Sequence, residues 1–260
     1  MLVLLSPAKS LDFDSPSASD LYSTGEFLDQ ANGLVRTMKG KKPAELMKLM
    51  SISEKLADLN VDRFKGYESP VAPGPNAKQA AFAFTGHTYV GFNAADMSQS
   101  DLEFAQTYVR ILSGLYGLLR PLDLVYPYRL EMGTRLKTRR GNSLYDYWGD
   151  RLAKAIDREL IGHGEPLVVN CASKEYFTAA ERPGLKARVV TPVFKDKKDD
   201  GYKVVSFFAK EARGAMAAHI VRNRIQDVGG IRDFAFKGYG FSEGMSDEDT
   251  LVFIRDGKPD

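Results

Sequence analysis

The chain has 260 residues, of which 43% are apolar, and its formal net charge at pH 7 is +2. This length and composition suit one large domain or two small ones, and the small net charge excludes the strong basic excess of a typical nucleic-acid-binding protein, so any such binding needs a local basic patch. The sequence has no apolar run of about 18 residues, which excludes a membrane span, and its single cysteine, Cys171, excludes an internal disulfide framework and favours a reducing cytoplasm.

The first elements follow from short apolar runs. Met1–Leu5 carries no basic residue and is followed at once by Ser6 and Pro7, so we expect a buried strand here and no signal peptide. The buried strands predicted along the chain are Leu2–Leu5, Ala80–Thr85, Leu167–Cys171, Arg188–Phe194, Tyr202–Ala209 and Leu251–Arg255. Because helical stretches lie between them, the sequence predicts the α/β class in its mixed α+β form, with a central mixed sheet and surrounding helices.

Helix signals are clearest at three places. Ser98 and Asp101 resemble a capping box, and apolar residues continue at helical spacing to Leu112. Further helical stripes run from Trp148 to Leu160 and from Ala209 to Asp227. Residues 20–68 contain almost no strand signal and lie between two stretches rich in serine and proline. We therefore expect a single domain over residues 1–260 with a helical insertion at about 20–68.

Inside that insertion, residues 49–59 resemble a helix–hairpin–helix DNA-binding motif with serine at both glycine positions. A short turn at Ser51 and Ser53 would expose backbone N–H groups at the start of a second helix, where the helix dipole favours a phosphate. Lys55 would neutralise a phosphate charge, and such contacts read no bases. The alternative is a plain helical hairpin in which Ser53 is the N-cap.

A second basic element lies at residues 134–140, where Arg135, Lys137 and Arg139 would share one face of a strand. Aromatic residues follow it, and basic residues beside aromatics suit a nucleic-acid surface. The alternative is a solvated edge strand whose cations oppose aggregation.

Polar residues also cluster where predicted strands end, which is where open α/β sheets bind ligands. We expect these residues to form one cleft, with Lys210 and Arg213 at the junction of a strand and a helix. The cleft candidates are Lys9, Tyr128, Arg129, Glu131, Asn170, Glu175, Tyr176, Lys210 and Arg213. Cations with embedded carboxylates suit a phosphate, a nucleotide or a DNA backbone.

The run from Leu112 to Met132 contains three of these cleft candidates. Its glycines, Gly114 and Gly117, indicate a tight turn or a close backbone approach. Read as a strand, Tyr128–Met132 puts Arg129 and Glu131 on one face, which suits either a functional polar site or a structural ion pair. A lysine among carboxylates can act as a base or a nucleophile and the tyrosines as acids, but no motif fixes a reaction and no catalytic residue is assigned.

The motifs together resemble the YaaA family of bacterial proteins. The similarity rests on Ser6–Lys9, on the run from Leu112 to Asp123, on Tyr128–Met132, and further on Leu144-Tyr145, Trp148-Gly149, residues 170–177 and residues 210–214. The chain departs from the usual family pattern at His87 and Lys174. The resemblance implies a role in peroxide stress, DNA binding through a helix–hairpin–helix element, and limitation of free iron.

We therefore expect a cytoplasmic protein that binds double-stranded or distorted DNA without sequence specificity, through the helix–hairpin–helix-like element and the positive cleft, and that limits iron-dependent oxidative damage. The alternative is an enzyme acting on a nucleotide or nucleobase-like small molecule in the cleft. The sequence predicts no cofactor and no metal site, because its three histidines, His87, His163 and His219, are far apart and only one cysteine is present. No membrane partner is expected.

Overall fold

A computed structural model describes residues 1–257 of the chain. The strands are β1 (Leu2–Leu5), β2 (Ser10–Leu11), β3 (Lys78–Gln79), β4 (Phe84–Thr85), β5 (Val109–Ser113), β6 (Gly117–Leu119), β7 (Leu124–Val125), β8 (Leu167–Asn170), β9 (Arg188–Lys198), β10 (Gly201–Lys203), β11 (Gly240–Phe241) and β12 (Thr250–Arg255). The α-helices are α1 (Leu28–Lys39), α2 (Pro43–Met50), α3 (Glu54–Lys65), α4 (Ala80–Ala83), α5 (His87–Phe92), α6 (Gln99–Tyr108), α7 (Leu144–Trp148), α8 (Arg151–Glu159), α9 (Lys174–Phe177), α10 (Ser206–Arg222) and α11 (Val228–Arg232).

The core of the molecule is a mixed sheet with the order β11-β12-β9-β8-β1-β5-β6, in which β10 also pairs with β9. β1, β5, β8, β9 and β12 are mutually parallel, whereas β6, β10 and β11 run antiparallel to their neighbours. Every residue of β1 is fully buried, as expected for a central parallel strand covered on both faces. The predicted α/β class with a mixed central sheet is confirmed.

The order of the strands creates a crevice beside β1. The chain places β5 on one side of β1 and then returns to place β8 on the other side. At such a reversal the loops that leave the two strands diverge, so the space at their carboxyl ends is open to a ligand. Ser6 follows β1 directly, and Cys171 follows β8 directly.

Two helices, α5 and α10, pack unusually closely against each other. A Cβ on Gly214 of α10 would lie 1.7 Å from the carbonyl oxygen of Thr88, and a Cβ on Gly91 of α5 would lie 2.0 Å from the carbonyl oxygen of Glu211. The backbones of α5 and α10 therefore touch, and only glycine permits this crossing. The contact fixes α10 beside the first turn of α5.

Several predicted elements agree with the structure. The strands at residues 2–5, 167–170, 188–194 and 251–255 are present, and Ser98 caps α6 by accepting from the N–H of Asp101. The apolar stripe after Asp101 crosses an element boundary, because α6 ends at Tyr108 and Leu112 belongs to β5. A glycine with positive φ, Gly149, likewise separates α7 from α8 within the predicted stripe from Trp148 to Leu160.

Two predicted strands are wrong. Ala80–Thr85 is mostly helix α4, consistent with the high helix propensity of its alanines, and only Phe84–Thr85 pairs as a strand. Tyr202–Ala209 pairs only as far as Lys203, after which α10 begins at Ser206. The predicted helix to Asp227 ends at Arg222, and Asp227 instead caps α11 by accepting from the N–H of Gly230.

Residues 28–65 fold into the three helices α1, α2 and α3. The stretch before them is held in place by buried side chains, because the Lys78 ammonium donates to the carbonyl oxygen of Ser15 at 2.8 Å and the Gln79 amide donates to the carbonyl oxygens of Ser19 and Leu21. Across residues 1–257, no helix combines the length and the apolar character that crossing a membrane requires.

Candidate functional site

The loops at the carboxyl ends of β1 and β8 are joined by hydrogen bonds. The Ser6 hydroxyl oxygen accepts from the backbone N–H of Ser173 at 2.9 Å, and the Ser6 carbonyl oxygen accepts from the Tyr89 hydroxyl at 3.1 Å. These bonds position the loop that carries Lys9 beside the loop that follows Asn170. We call the region formed by these two loops and residues 128–133 the sheet-edge cleft.

One carboxylate in the cleft contacts two cations. The Arg129 guanidinium donates to Glu131 Oε1 at 2.9 and 3.1 Å, and the Lys9 ammonium lies 3.2 Å from the same oxygen. Arg129 and Glu131 are largely buried, with side chains 18% and 21% exposed, whereas Lys9 is 62% exposed. The predicted pairing of Arg129 with Glu131 is therefore confirmed, and Lys9 joins them.

The segment Tyr128–Met132 is not a strand, which corrects the expectation of strand pairing here. Its alternation survives, because Tyr128, Leu130 and Met132 are buried while the two charged residues between them face the cleft. Gly114 explains how the segment is held: a Cβ there would lie 2.2 Å from the carbonyl oxygen of Leu130. The glycine marks a close backbone approach, as the sequence indicated.

Buried tyrosines lie behind the ion pairs. The Tyr128 hydroxyl is 2.6 Å from the Ser113 hydroxyl, and burial raises its pKa. Burial also raises the pKa of Tyr176 well above its usual value, with Tyr128 and then the carboxylates of Glu175 and Glu131 adding to the effect. Both phenols therefore stay protonated near neutral pH and can act in the cleft as hydrogen-bond donors.

Two further cleft candidates have mainly structural contacts. Glu175 Oε1 accepts from the backbone N–H of Gly133 at 2.9 Å, which ties α9 to residues 128–133. The Asn170 side-chain oxygen accepts from the backbone N–H of Ala172 at 3.1 Å and shapes the turn after β8. Both residues hold the loops of the cleft together.

Lys210 and Arg213 lie inside α10, so the expectation that they mark a strand end is wrong. Burial lowers the pKa of Arg213, which lies near Cys171 at the end of β8. Burial raises the pKa of the Cys171 thiol to about 12. Lys210 is exposed, and neither cation has an ion-pair partner within residues 1–257. Ion pairs thus join Lys9, Arg129 and Glu131, whereas in residues 1–257 Glu131 forms no ion pair with Lys210 or Arg213.

The predicted hairpin residues lie between α2 and α3. Ser51 adopts the left-handed conformation with φ of 51° and closes α2, Ile52 is buried, and Ser53 is the N-cap residue of α3. The Ser53 side chain makes no capping hydrogen bond, so the first amides of α3 have no side-chain acceptor. Lys55 is exposed one residue into the helix.

The second basic element, residues 134–140, which we call the basic segment, lies against α2. Thr134 and Leu136 are buried while Arg135 and Lys137 are exposed, so the predicted alternation is present, but residues 134–137 do not form a strand. With α2 they line a groove of about 580 Å³, which we call the basic groove; its lining residues are Lys41, Glu45, Lys48, Leu49, Gly133, Arg135, Leu136 and Lys137. Glu45 is paired with Lys41 at 3.0 Å.

Arg139 is separated from the other two predicted cations. It lines a second cavity of about 420 Å³, which we call the arginine pocket, together with Gly33, Arg36, Thr37, Thr138, Arg140 and Tyr147. Local sequence could not place Arg36 in the arginine pocket or Lys48 in the basic groove, because they come from α1 and α2, far along the chain from residues 135–140. Their only signal is their position in the last turn of each helix.

Comparison with known proteins gives matches over almost the whole chain. Residues 1–245 match the family described as peroxide stress protein YaaA. The chain belongs to that family. A UPF0246 protein of Aromatoleum aromaticum is 48% identical over 259 residues, covering 98% of this chain and 99% of that protein. UPF0246 proteins of Burkholderia lata and of Shewanella sp. strain W3-18-1 are also 48% identical, over 257 and 256 residues, and each alignment covers 98% of this chain and at least 98% of the relative.

Family membership confirms the resemblance found in the motifs and supports a role in peroxide stress. For the part of the chain that the structure describes, no group of three or more His, Cys, Asp or Glu side chains is arranged to hold a metal ion. Three polar features of the described residues contain the predicted site residues: the sheet-edge cleft, the basic groove with the hairpin next to it in sequence, and the arginine pocket.

Proposed function

We propose that this YaaA-family protein binds double-stranded or distorted DNA through the phosphate backbone, without reading sequence. The observation that carries the proposal is the basic groove, in which Lys48 of α2 lies with Arg135 and Lys137 of the basic segment. Two elements that are about 90 residues apart in the sequence thus present cations to one concave surface. In this proposal residues 20–68 are a helical insertion in a single domain, and it supplies one wall of the groove.

The charges of the groove favour an external polyanion. Lys48, Arg135 and Lys137 have no ion-pair partner in the structure of residues 1–257, and the one carboxylate of the lining, Glu45, is already paired with Lys41. Duplex DNA carries about one negative charge per 1.7 Å of its axis, so several phosphates can meet these cations at once. Such contacts neutralise phosphates and release counterions but do not distinguish bases.

The hairpin extends the same surface. The amides at the start of α3 lack a side-chain acceptor because Ser53 makes no capping bond, and the positive end of the helix dipole lies there. The hydroxyls of Ser51 and Ser53 and the ammonium of Lys55 are exposed around them. The carboxylate of Glu54 opposes an anion at this position, so we assign most of the binding free energy to the basic groove and a smaller share to the hairpin.

The link to peroxide stress follows from counterion release. Cations that condense on DNA phosphates include Fe²⁺ when free iron is present, and iron held there reacts with peroxide to produce radicals next to the DNA. A protein that covers the phosphates displaces those cations. Binding in the cytoplasm would therefore limit iron-dependent oxidative damage without any iron site in the protein.

The test uses two charge reversals and a matched control. Lys55→Glu and Arg135→Glu should each weaken binding of a labelled duplex by about 1–3 kcal/mol, with the larger loss for Arg135→Glu, equally for unrelated sequences and less at high salt. Lys198→Glu changes an exposed lysine at the end of β9 and should leave the affinity unchanged. If both charge reversals bind DNA as well as the parent protein, the basic groove and the hairpin do not bind DNA.

A second candidate function is an enzyme that acts on a nucleotide or nucleobase-like molecule in the sheet-edge cleft. The observation that favours it is the contact of Glu131 with Lys9 and Arg129 at the point where the sheet order reverses. Glu131→Gln, tested for rescue of a peroxide-sensitive deletion strain, separates the candidates. Loss of rescue by a folded variant with normal DNA affinity would favour the enzyme, and full rescue would remove it.

A further inference from the structure

We propose that the arginine pocket binds a phosphate monoester of nucleotide size. The pocket lies between the C-terminal half of α1 and residues 138–140, and it is separate from the basic groove. Its volume of about 420 Å³ is in the range of small-molecule sites and is much larger than a single phosphate needs. The ligand is a free nucleotide or the 5′-phosphorylated end of a DNA strand, since both present the same group.

The charge of the lining calls for a dianion. Arg36, Arg139 and Arg140 line the cavity and no carboxylate does. None of the three is ion-paired to another of residues 1–257. Guanidinium groups held around one cavity repel each other, and an anion between them removes that repulsion. A phosphate monoester carries about −1.5 to −2 charges near pH 7, compared with −1 for a backbone phosphodiester, so three arginines favour the monoester.

The donors are already partly oriented. The guanidinium of Arg140 lies 4.8 Å from the centre of the Tyr147 ring, and the Tyr147 hydroxyl donates to the carbonyl oxygen of Gln30 at 2.7 Å. The Thr138 hydroxyl accepts from the backbone N–H of Arg140 at 3.1 Å, which leaves its own O–H free to donate to a ligand. Orientation before binding lowers the entropy that a ligand must lose from the protein.

Gly33 keeps the pocket open. A Cβ at this position of α1 would lie 3.0 Å from the Tyr147 hydroxyl and 3.8 Å from a terminal nitrogen of Arg36. Any side chain would therefore enter the cavity between an arginine and the aromatic residue at its base. A glycine in the interior of a helix costs about 1 kcal/mol relative to alanine, and an accessible cavity gives that cost a function.

Direct binding measurements test the proposal. The parent protein is titrated with AMP, ATP, adenosine and inorganic phosphate by calorimetry, and with a duplex whose 5′ ends carry either phosphate or hydroxyl. We expect AMP or ATP to bind while adenosine does not, and the phosphorylated duplex to bind about tenfold or more tightly than the hydroxyl form if strand ends are the source. Equal affinity for both duplexes with nucleotide binding intact identifies the free nucleotide as the ligand.

The variants locate the site. Arg36→Gln should weaken binding of the monoester about tenfold or more, and Gly33→Val should reduce it further by filling the cavity. Arg222→Gln, an exposed arginine at the end of α10, is the matched control and should bind as the parent does. Circular dichroism and thermal unfolding show whether each variant is folded.

The outcome is independent of the proposed DNA function. Absence of nucleotide binding together with equal affinity for both duplexes would overturn the pocket while leaving backbone binding intact. Binding of nucleotide by a protein that binds no DNA would support the pocket and remove the proposed function. Nucleotide binding that survives Arg36→Gln and Gly33→Val unchanged would also overturn the assignment.

Discussion

The sheet-edge cleft and the basic groove both contain cations, but those cations differ in what they contact. In the cleft, Arg129 and Lys9 share the carboxylate of Glu131. In the groove, Arg135 and Lys137 are exposed and have no carboxylate partner in the described part of the chain. A paired cation must lose its partner before it binds another anion, whereas an unpaired surface cation loses only water and counterions. Local pairing therefore separates cations that hold the structure together from cations available to a polyanion.

The largest effect is expected from a substitution that disrupts the α5–α10 contact beside the sheet-edge cleft and leaves the basic groove unchanged. Gly214→Ala puts a Cβ against the backbone oxygen of Thr88, where no side-chain movement can relieve the clash. We expect the free energy of unfolding, measured by urea denaturation, to fall by at least about 3 kcal/mol.

Gly33→Ala, in the arginine pocket, is the matched glycine substitution. Its Cβ meets only a side-chain hydroxyl at 3.0 Å, and alanine gains about 1 kcal/mol of helix propensity. The net change in stability should therefore be within about 1 kcal/mol of zero. Equal destabilisation by the two variants would show that the α5–α10 contact is not specially tight.

The second effect concerns the chemical reactivity of the Cys171 thiol, which is buried at the end of β8 beside the cleft. Cys171 is buried and the pKa of its thiol is raised to about 12, so the fraction of reactive thiolate near neutral pH is very small. Alkylation of the native protein by iodoacetamide near pH 8 should be at least about 100-fold slower than alkylation of the unfolded chain. Rapid modification of the folded protein would instead make Cys171 a candidate for direct reaction with peroxide.

The third effect compares two cations on one carboxylate. Arg129 is largely buried and donates twice to Glu131, so Arg129→Met should lower the free energy of unfolding by about 1–3 kcal/mol. Lys9 is 62% exposed, so Lys9→Met should lower it by no more than about 0.5 kcal/mol. Thermal and urea unfolding of the two variants and the double variant would measure the coupling. A larger loss for Lys9 would mean that exposure does not determine the strength of these contacts.

The sequence predicts features that depend on neighbouring residues better than features that depend on contacts between residues far apart in the chain. Local signals predict three features that the structure contains: the buried strand β1, the capping box of α6, and the pairing of Arg129 with Glu131. The predicted strand at Ala80–Ala83 is wrong because an apolar run without a clear period fits both a helix and a strand. The sequence does not predict the arginine pocket, because Arg36 and Arg140 come together only through the packing of α1 against residues 138–140.

The salt dependence of duplex binding tests the central claim most directly. The logarithm of the association constant is measured against the logarithm of salt concentration, from about 50 to 200 mM, for the parent protein, for the double variant Arg135→Gln with Lys137→Gln, and for Lys9→Gln. If the basic groove contacts the phosphates, the double variant lowers the magnitude of the slope by about 1.8 and Lys9→Gln leaves it unchanged. An unchanged slope in the double variant, or an equal change with Lys9→Gln, would contradict the assignment of DNA binding to the unpaired cations of the groove.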